Sequence, residues 1–525
     1  MLTPHRAHNT SSGRQVSSEN QKNAGTAKTL MKGMSWQTSC QLIPLIVNLA
    51  MTPWIIHGLG PARYSIFMLV TSFTTLLSQF DGGIGPSAMR YFTIYAGRDD
   101  RESTTRLLLS VAAIVFTGGL IISLTVFLTT ESILQFFRVD PLFLPEASFL
   151  LRTLTMIIAF ILVRNLLNAV INARQLFRYT SMAILAGYGV YIVGITASIM
   201  CGWGLYGLAW TMVMQQVVGS IITVPAAVRY LRRATPWHMN RADLGEFFRY
   251  SWKVQITGLT GLLTSQKDQL VAGRLLSAQQ SGPIGQGTNF AQQLRQMPLN
   301  ATYPMQALTG TEVARVGSAD AVAKIEKLQR IWVRAIVGWC VIGAIAALFA
   351  VRAWLPDSFT LAAPVAAAFI FGSVFQLIRH VANLWCLTLG HSEIEMHAGV
   401  ASFIVNVVLS VVLYFPFGVG GVVAATVLAQ LASVLFFSWQ YHSRVPVRPR
   451  LYTHEVPFVG LVAGVGVAVA VEWLVHPFLP RGALGLLSGA LLAAPGMLVY
   501  SVLAFNKTDL ATAKDIFRRT PPSRS

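Results

Sequence analysis

Charge is scarce in this 525-residue chain. Asp, Glu, Lys and Arg together make up 12% of the residues, whereas 54% are hydrophobic. Soluble domains carry about twice that charged fraction. Long apolar runs recur from Gln41 to Phe505, each near the ~20 residues that cross a ~30 Å hydrocarbon layer. Because the short alternating segments of an outer-membrane barrel are missing, the composition predicts an all-α polytopic membrane protein.

Cysteines and catalytic motifs are also few. The four cysteines lie singly in or beside apolar runs, and no Cys-x-x-Cys pair occurs, so neither a zinc site nor a disulfide framework is indicated. The sequence has no HExxH, GxSxG or P-loop pattern. It also has no pair of carboxylates placed for acid–base catalysis. We therefore expect a protein that is not an enzyme and that needs no metal or other cofactor.

The apolar runs predict fourteen membrane-spanning helices. Of the 40 Lys and Arg residues, 30 fall on one side of the predicted membrane, 7 on the other and 3 within spans. Because cytoplasmic loops carry the excess of Lys and Arg, both termini are predicted to be cytoplasmic. The net charge of +19 is then a property of the topology rather than a sign of nucleic-acid binding. The predicted spans lie near residues 37–56, 64–81, 107–129, 150–171, 180–201, 205–227, 251–266, 282–304, 332–350, 360–386, 396–415, 419–440, 457–475 and 483–505.

An internal repeat runs through the chain at an offset near 215 residues. The pair Ser-Trp opens the first span at residue 35 and the seventh at residue 251. Three further residues of the first half, Gly204, Gly207 and Gln216, match Gly418, Gly421 and Gln430 at an offset of 214. The repeat predicts two six-helix lobes related by an axis along the membrane normal, followed by two extra helices.

The repeat and the polar ends predict the domain organisation. Both ends of the chain are polar and lack an apolar segment, which is typical of disordered tails. The predicted parts are a cytoplasmic tail at 1–33, an N-lobe with spans one to six at 34–233, a C-lobe with spans seven to twelve at 241–444, spans thirteen and fourteen at 451–506, and a second cytoplasmic tail at 507–525.

Arg164 stands in the middle of the fourth predicted span. It is twelve residues from Arg152 at one end of the span and ten from Arg174 at the other, or roughly 18 Å and 15 Å along a helix. An arginine stem cannot snorkel that far, and an unpaired charge at this depth costs about 2.5–3.5 kcal/mol. Arg164 is therefore expected to face a wet cavity or a partner instead of lipid.

The repeat supplies a second arginine. "RNLLN" begins at Arg164 and "RHVAN" begins at Arg379, at an offset of 215. Asn168 and Asn383 follow four residues later and so share the helical face of their arginines. Two such faces across a central gap would offer guanidinium groups to phosphate, which they bind in a bidentate manner. In the alternative interpretation, each arginine pairs with helix carbonyls or a carboxylate and fixes packing.

Other charged groups lie within predicted spans. Arg295 occurs in a polar stretch of span eight, which favours contact with water, and Lys267 with Asp268 lies toward the outer end of span seven. Adjacent residues on a helix point about 100° apart, so Lys267 and Asp268 need separate partners. Asp81 is predicted to cap a turn at the inner end of span two, with Arg90 nearby.

Four acidic or histidine side chains are given no functional role by the sequence. Glu472 is expected near the outer interface of span thirteen. His391, Glu393 and Glu395 are close together, but such a group is more typical of a solvated loop than of a metal site.

Residues 58–92 resemble the second-span region of the polysaccharide exporters. These exporters belong to the superfamily that also contains multidrug exporters and oligosaccharidyl-lipid flippases. The family pattern is a Gly-Tyr element, an apolar run, an Asp-x-Gly pair and an arginine, here Gly60, Tyr64, Asp81, Gly83 and Arg90. Ser65 stands where the family has a second glycine. Residues 248–282 are similar to the start of the second lobe of the family, including Asp268.

The resemblance implies translocation of an undecaprenyl-diphosphate-linked oligosaccharide across a bacterial inner membrane, for O-antigen, capsule or exopolysaccharide synthesis. It also implies alternating access by two bundles with coupling to a proton or sodium gradient. Candidate partners are the lipid-linked substrate, membrane lipid, a polysaccharide polymerase and chain-length proteins. The candidate substrate contacts are Arg164, Arg379, Asn168, Asn383, Arg295 and Lys267, and the candidate coupling or structural residues are Asp268, Asp81 and Arg90.

Three rival functions stay open at this point. A flippase for the peptidoglycan precursor shares the fourteen-span plan and a cationic cavity. A drug antiporter for cations would call for acidic cavity residues, whereas this interior is mainly basic. A membrane-bound sugar transferase would need a group of catalytic carboxylates or histidines, and the sequence presents none.

Overall fold

The computed structural model describes most of the chain between residues 43 and 505, and every regular element in the described part is helical. The predicted tails at 1–33 and 507–525 and most of predicted span seven lie outside the described residues. The described residues are 43–78, 84–174, 176–232, 244–249, 251–252, 255, 270–271, 273–274, 281–301, 303–389, 391–451 and 456–505.

The N-lobe contains eight helices within the described residues. Predicted spans one, two, three, five and six correspond to one helix each. Span four is divided at Ile157 into two helices, and α3 lies in the loop after span two. The helices are α1 (Ile43–Leu59), α2 (Pro61–Leu77), α3 (Ile84–Gly97), α4 (Arg101–Phe136), α5 (Leu144–Met156), α6 (Ile158–Ala173), α7 (Phe177–Met200) and α8 (Gly204–Val228).

Six helices of the C-lobe follow the helical stretch at 244–249 within the described residues. Predicted span ten is divided at Ile378 and Arg379. The ninth span is the C-terminal part of a single helix of 52 residues, which also includes the whole loop predicted before that span. The helices are α9 (Gly282–Ala301), α10 (Tyr303–Trp354), α11 (Ala362–Leu377), α12 (His380–Thr388), α13 (Ser392–Phe417) and α14 (Val419–Arg444).

The two extra spans follow as α15 (Phe458–Val475) and a divided helix, α16 (Ala483–Leu492) with α17 (Ala494–Ala504). They pack on each other and on α10. Large apolar side chains of α15 such as Val459 and Trp473 are exposed. In water such a surface would be unfavourable, but a lipid bilayer accommodates it.

Length and apolar composition make these helices membrane-spanning. Within the described residues, ten helical segments are long and apolar enough to cross a bilayer. The other four predicted spans are α1 and α2, which have 17 residues each, the more polar α9, and the segment 251–266, which lies mostly outside the described part. The protein is therefore a multi-pass membrane protein, as predicted.

The repeat is visible in two equivalent helical hairpins, α7–α8 and α13–α14. In both hairpins the turn into the second helix has a glycine at positive φ, namely Gly204 at 55° and Gly418 at 57°. Residues other than glycine rarely adopt this backbone conformation. The sequence match between Gly204 and Gly418 therefore reflects the same backbone turn in both lobes.

Local signals also explain where individual helices begin. Asp100 caps α4 by accepting a hydrogen bond from the backbone N–H of Ser103 at 2.9 Å. The hydrogen bonds from Ser103 hold the pKa of the Asp100 carboxyl below its ordinary value. Pro61 occupies the first turn of α2, where its missing N–H has no helical partner to lose.

Candidate functional site

In the N-lobe, the predicted arginine lies within α6 and faces α8. The Nη1 atom of Arg164 donates a long hydrogen bond of 3.4 Å to the carbonyl oxygen of Gln216. Gly219, one turn further along α8, makes room for the guanidinium, because a Cβ atom there would lie 3.2 Å from Nη1. The Nε atom is buried and lacks a hydrogen-bond partner among the described residues. No described carboxylate forms an ion pair with Arg164, and its contact with a helix carbonyl is one that the alternative interpretation of the sequence also allows. Direct contact of Arg164 with substrate stays a prediction.

In the C-lobe, the matching arginine has a carboxylate partner. Arg379 lies at the break between α11 and α12 with only 3% of its side chain exposed. Its guanidinium forms a bidentate pair with Glu395 of α13, in which Nη1 bonds one oxygen and Nη2 donates to the other at 3.1 Å. Nη2 also approaches Ser433 Oγ at 3.4 Å, and the guanidinium carbon lies 4.6 Å from the centroid of the Phe437 ring.

This geometry of Arg379 corresponds to the alternative interpretation of the sequence, in which an arginine pairs with a carboxylate and fixes packing. It also corrects the assignment of Glu395 to a solvated loop, because Glu395 lies in the first turn of α13. His391 and Glu393 contact each other at 3.2 Å. Within the described residues, no group of three or more His, Cys, Asp or Glu side chains could hold a metal ion. Direct contact of Arg379 with substrate stays a prediction.

The two asparagines behave alike in both lobes. The side-chain oxygen Oδ1 of Asn168 is buried without a hydrogen-bond partner among the described residues, and so is that of Asn383. Buried polar atoms normally have partners. Each lobe therefore has a buried, unsatisfied carbonyl oxygen one helical turn beyond its arginine.

Arg295 belongs to the same region of the C-lobe as Arg379. Its Nη1 atom donates to Gln376 Oε1 at 2.6 Å, and its Nε atom is buried without a described partner. Gln376 lies near the end of α11, three residues before Arg379. The structure thus brings Arg295 beside the helix that leads to Arg379, whereas the described contact of Arg164 is within the N-lobe.

Several predicted site residues lie outside the described part of the structure. Lys267, Asp268 and Asp81 fall in undescribed segments, and for Arg90 only the backbone is described, within α3. Their predicted roles stay predictions.

The two lobes contact each other where α2 and α9 begin and α10 ends, which the sequence predicts to be the extracytoplasmic side, and the contact reaches the middle of α1. The hydroxyl of Tyr64 on α2 donates to Gln286 Oε1 on α9 at 2.7 Å. The indole of Trp354, at the end of α10, donates to the carbonyl of Leu49 on α1 at 2.9 Å. Backbone packing is close here, because a Cβ atom on Gly282 would lie only 2.0 Å from Ser65 Oγ. The lobes are therefore in contact at the predicted outer side.

Sequence reasoning did not identify the partners of the arginines. Glu395 could have been found from the apolar run that begins at Ile394, since a glutamate in the first turn of the helix after Arg379 is close to it in sequence. Gln216 and Gln430 were noticed only as repeat matches. Ser433 and Phe437 carry no signal of their own, because small and aromatic residues are common along an apolar helix.

Comparison with known proteins identifies the class of the molecule. The family model of the polysaccharide biosynthesis proteins matches residues 30–308, just over half of the chain. The chain therefore belongs to this family. No curated relative matches it in sequence.

Solved structures with the same fold belong to one transporter superfamily. The lipid II flippase MurJ in an inward closed conformation is similar over 92% of this chain and 99% of its own, with 13% identity and a TM-score of 0.66. An inward-facing multidrug resistance MATE family transporter of the MOP superfamily is similar over 78% of this chain and 98% of its own, with 17% identity and a TM-score of 0.61. A MOP superfamily transporter from Pyrococcus furiosus is similar over 79% of this chain and 95% of its own, with 15% identity and a TM-score of 0.59. The protein has the MOP transporter fold.

Proposed function

We propose that this protein is a flippase that moves an undecaprenyl-diphosphate-linked oligosaccharide from the cytoplasmic to the outer leaflet of a bacterial inner membrane. The observation that carries the proposal is the environment of Arg164. A guanidinium in the middle of a span has a backbone carbonyl as its recorded partner and no described carboxylate. Such a charge is expensive in a membrane interior unless an anion or water accompanies it.

A diphosphate group would supply the missing negative charge. Guanidinium binds phosphate oxygens through two parallel, charge-assisted hydrogen bonds. The unsatisfied side-chain oxygen of Asn168, one turn away on the same helix, would accept hydrogen bonds from sugar hydroxyls. Cation and acceptor together suit an anionic headgroup that also carries sugar, and membership of a polysaccharide biosynthesis family supports that substrate class.

The polyprenyl tail would require an apolar surface close to the path of the headgroup. A groove of about 370 Å³ lies between α9, α10 and the divided last span, and its lining is almost entirely apolar. Its larger side chains are Phe290, Leu294, Trp339 and Met497. A hydrocarbon chain in this groove would avoid contact with the polar side chains of the lobes.

The contacts between the lobes support entry of the substrate from the cytoplasmic side. The contacts of Tyr64 with Gln286 and of Trp354 with Leu49 hold the lobes together at the predicted outer side. A substrate headgroup would therefore enter from the cytoplasmic side and leave only after these contacts break. This is alternating access between two bundles.

A transport assay in liposomes tests the proposal. Purified protein is reconstituted, and appearance of a labelled lipid-linked oligosaccharide in the opposite leaflet is followed. We expect Arg164→Ala to slow translocation by about ten-fold or more, equivalent to about 1.4 kcal/mol or more, and Arg164→Lys to retain part of the activity because it keeps the charge. Arg352→Ala, at an exposed arginine of α10, is the matched control and should transport normally.

The opposite result would remove the arginine from the mechanism. If Arg164→Ala protein is equally abundant in the membrane and transports at the wild-type rate, the proposed contact does not exist. A wild-type protein that turns the lipid-linked sugar over into another product, instead of moving it, would indicate the enzyme class.

A flippase for the peptidoglycan precursor is the second candidate. The observation in its favour is the structural similarity to the lipid II flippase over 92% of the chain. Presenting both substrates to the same liposomes separates the two functions. We expect faster transport of the oligosaccharide carrier, and a preference for the peptidoglycan precursor would reverse the assignment.

A further inference from the structure

Glu472 lies in an unexpected place. The sequence predicts it near the outer membrane interface, but its side chain is fully buried, at 0% exposure. Its depth in the membrane stays a prediction, and its burial shows that Glu472 belongs to the packed face of α15. Its next neighbour Trp473 points outward and is 73% exposed. Adjacent residues on a helix point about 100° apart, so one of the two can face lipid while the other is buried.

The packed face of α15 is a seam of small residues at four-residue spacing. Gly460, Gly464 and Ala468 precede Glu472 on this face, and all four are buried. The seam contacts the last span very closely, since a Cβ atom on Gly464 would lie 2.8 Å from the carbonyl oxygen of Gly496. Glu472 is thus the one ionisable residue on a face that is otherwise built for helix contact.

Both carboxylate oxygens of Glu472 are buried and neither has a hydrogen-bond partner among the described residues. Buried carboxylates normally have several partners, because an ionised carboxylate without them is strongly destabilised in a medium of low dielectric constant. A neutral carboxylic acid avoids most of this cost. The geometry therefore favours the protonated side chain.

The titratable groups on the surrounding elements do not change this conclusion. α16 has none, and Tyr500 of α17 donates its hydroxyl to the carbonyl of Arg334. On the outer half of α10, Cys340 is buried and Arg352 is exposed. His476, one turn after Glu472, packs its ring on Phe349. No described ion pair involves Glu472.

Beyond the helices, Arg481 pairs with Asp357, and both side chains are exposed. These two groups neutralise each other and leave no counter-charge for Glu472.

We propose that Glu472 is a proton-binding site that controls the packing of α15 against the last span. The bound ligand is a single proton, held on the carboxyl group in the packed conformation. Ionisation releases that proton to water at the outer face and leaves a carboxylate without a partner. The carboxylate weakens the seam, so that α15 separates more easily from the last span.

The inference depends on the packing around Glu472 and is independent of the proposed transport function. It is tested on the purified wild-type protein in lipid bilayers, without any transport substrate. Infrared difference spectroscopy follows the carbonyl stretch of protonated carboxyl groups from acidic to alkaline pH. The variants are Glu472→Gln and, as matched control, Glu131→Gln at an exposed glutamate of α4.

A protonated carboxyl signal that persists in the wild type and in Glu131→Gln, and is missing in Glu472→Gln, is the expected result. Identical spectra for wild type and Glu472→Gln across the whole range would overturn the proposal, because Glu472 would then be ionised throughout.

A stability measurement keeps the test valid if Glu472→Gln expresses poorly. A group that holds its proton in the folded state and loses it in the unfolded state makes stability fall as pH rises above the ordinary range of glutamate. We expect the wild type to lose thermal stability with rising pH in this way and Glu472→Met to lose that slope. An unchanged slope in Glu472→Met contradicts the proposal.

Discussion

The two lobes have the same arginine at equivalent positions, but with different neighbours. Arg379 is enclosed by Glu395, Ser433 and Phe437. Applying the repeat offset of 215 to Glu395 and of 214 to the other two gives the N-lobe counterparts, which are Thr180, Gly219 and Thr223. Each of the three is smaller than its C-lobe equivalent, and the carboxylate has no acidic counterpart.

The presence of a carboxylate partner in the C-lobe and its absence among the described residues of the N-lobe distinguish the environments of the two arginines. In the C-lobe, the carboxylate neutralises the guanidinium and the pair joins the α11–α12 break to α13. In the N-lobe, Arg164 contacts a carbonyl beside a glycine and keeps its charge uncompensated by any described group. The residues around Arg379 thus hold it in the packing of the C-lobe, and under the proposed function those around Arg164 leave it for a ligand.

The largest effect is expected in the C-lobe. Glu395→Ala would leave the nearly buried Arg379 without its counter-charge. Breaking a buried ion pair from one side costs about 3–5 kcal/mol, and we expect the lower end of that range because the Glu395 side chain is 27% exposed. Thermal unfolding of the purified protein measures the loss.

A double variant provides the control for this prediction. Arg379→Met with Glu395→Met removes both charges and keeps most of the volume, so it should regain much of the lost stability. Wild-type stability in Glu395→Ala would show that the pair is well solvated and that the two lobes differ less than we infer.

The second largest effect is expected when a carboxylate is introduced into the N-lobe at the position equivalent to Glu395. Thr180→Glu places an acid where the repeat has Glu395. If Arg164 then pairs with it, the guanidinium is no longer available to a diphosphate, and we expect transport to fall about ten-fold, or about 1.4 kcal/mol. The liposome assay measures it. Thr180→Gln adds the same length without charge and should transport at close to the wild-type rate, whereas equal losses in both variants would point to crowding.

Much of the fold could be predicted from the sequence because the bilayer imposes strong rules. A buried helix in lipid must be about twenty apolar residues long, and this length rule, not any specific contact, located the spans. The glycines at positions 204 and 418 also revealed the repeat, since both occupy the same turn at positive φ. These signals are local or periodic, so a single sequence contains them.

The breaks within spans and the partners of the arginines could not be predicted. The breaks at Ile157 and Ile378 occur without proline or glycine at those positions, so no local signal marks them. The pairing of Arg379 with Glu395 and the burial of Glu472 depend on how helices are rotated against each other. In a uniformly apolar helix, hydrophobic periodicity fixes that rotation poorly.

A smaller effect is expected at the contact between the lobes. Tyr64→Phe removes the hydroxyl that donates to Gln286, and a typical buried hydrogen bond contributes about 1 kcal/mol. We expect the outward-open population to rise about five-fold, measured by distances between spin labels on α2 and α9. Tyr414→Phe is the control because α13 is not part of this contact. No change in the distance distribution would show that other contacts hold the lobes closed.

The smallest effect is expected from adding one hydroxyl group to the N-lobe beside Arg164. Gly219 is the N-lobe equivalent of Ser433, whose hydroxyl lies 3.4 Å from Arg379 Nη2. Gly219→Ser would offer Arg164 the same hydroxyl, and we expect a gain in stability of about 0.5–1 kcal/mol relative to Gly219→Ala. Transport should fall about two-fold, since the guanidinium must leave that hydroxyl before it binds substrate. Gly219→Ala is the matched control, because it adds the Cβ atom near Nη1 without a partner. Equal stability of the two variants would mean that the Arg164 guanidinium does not lie against Gly219, and the contrast between the lobes would then rest on Glu395 alone.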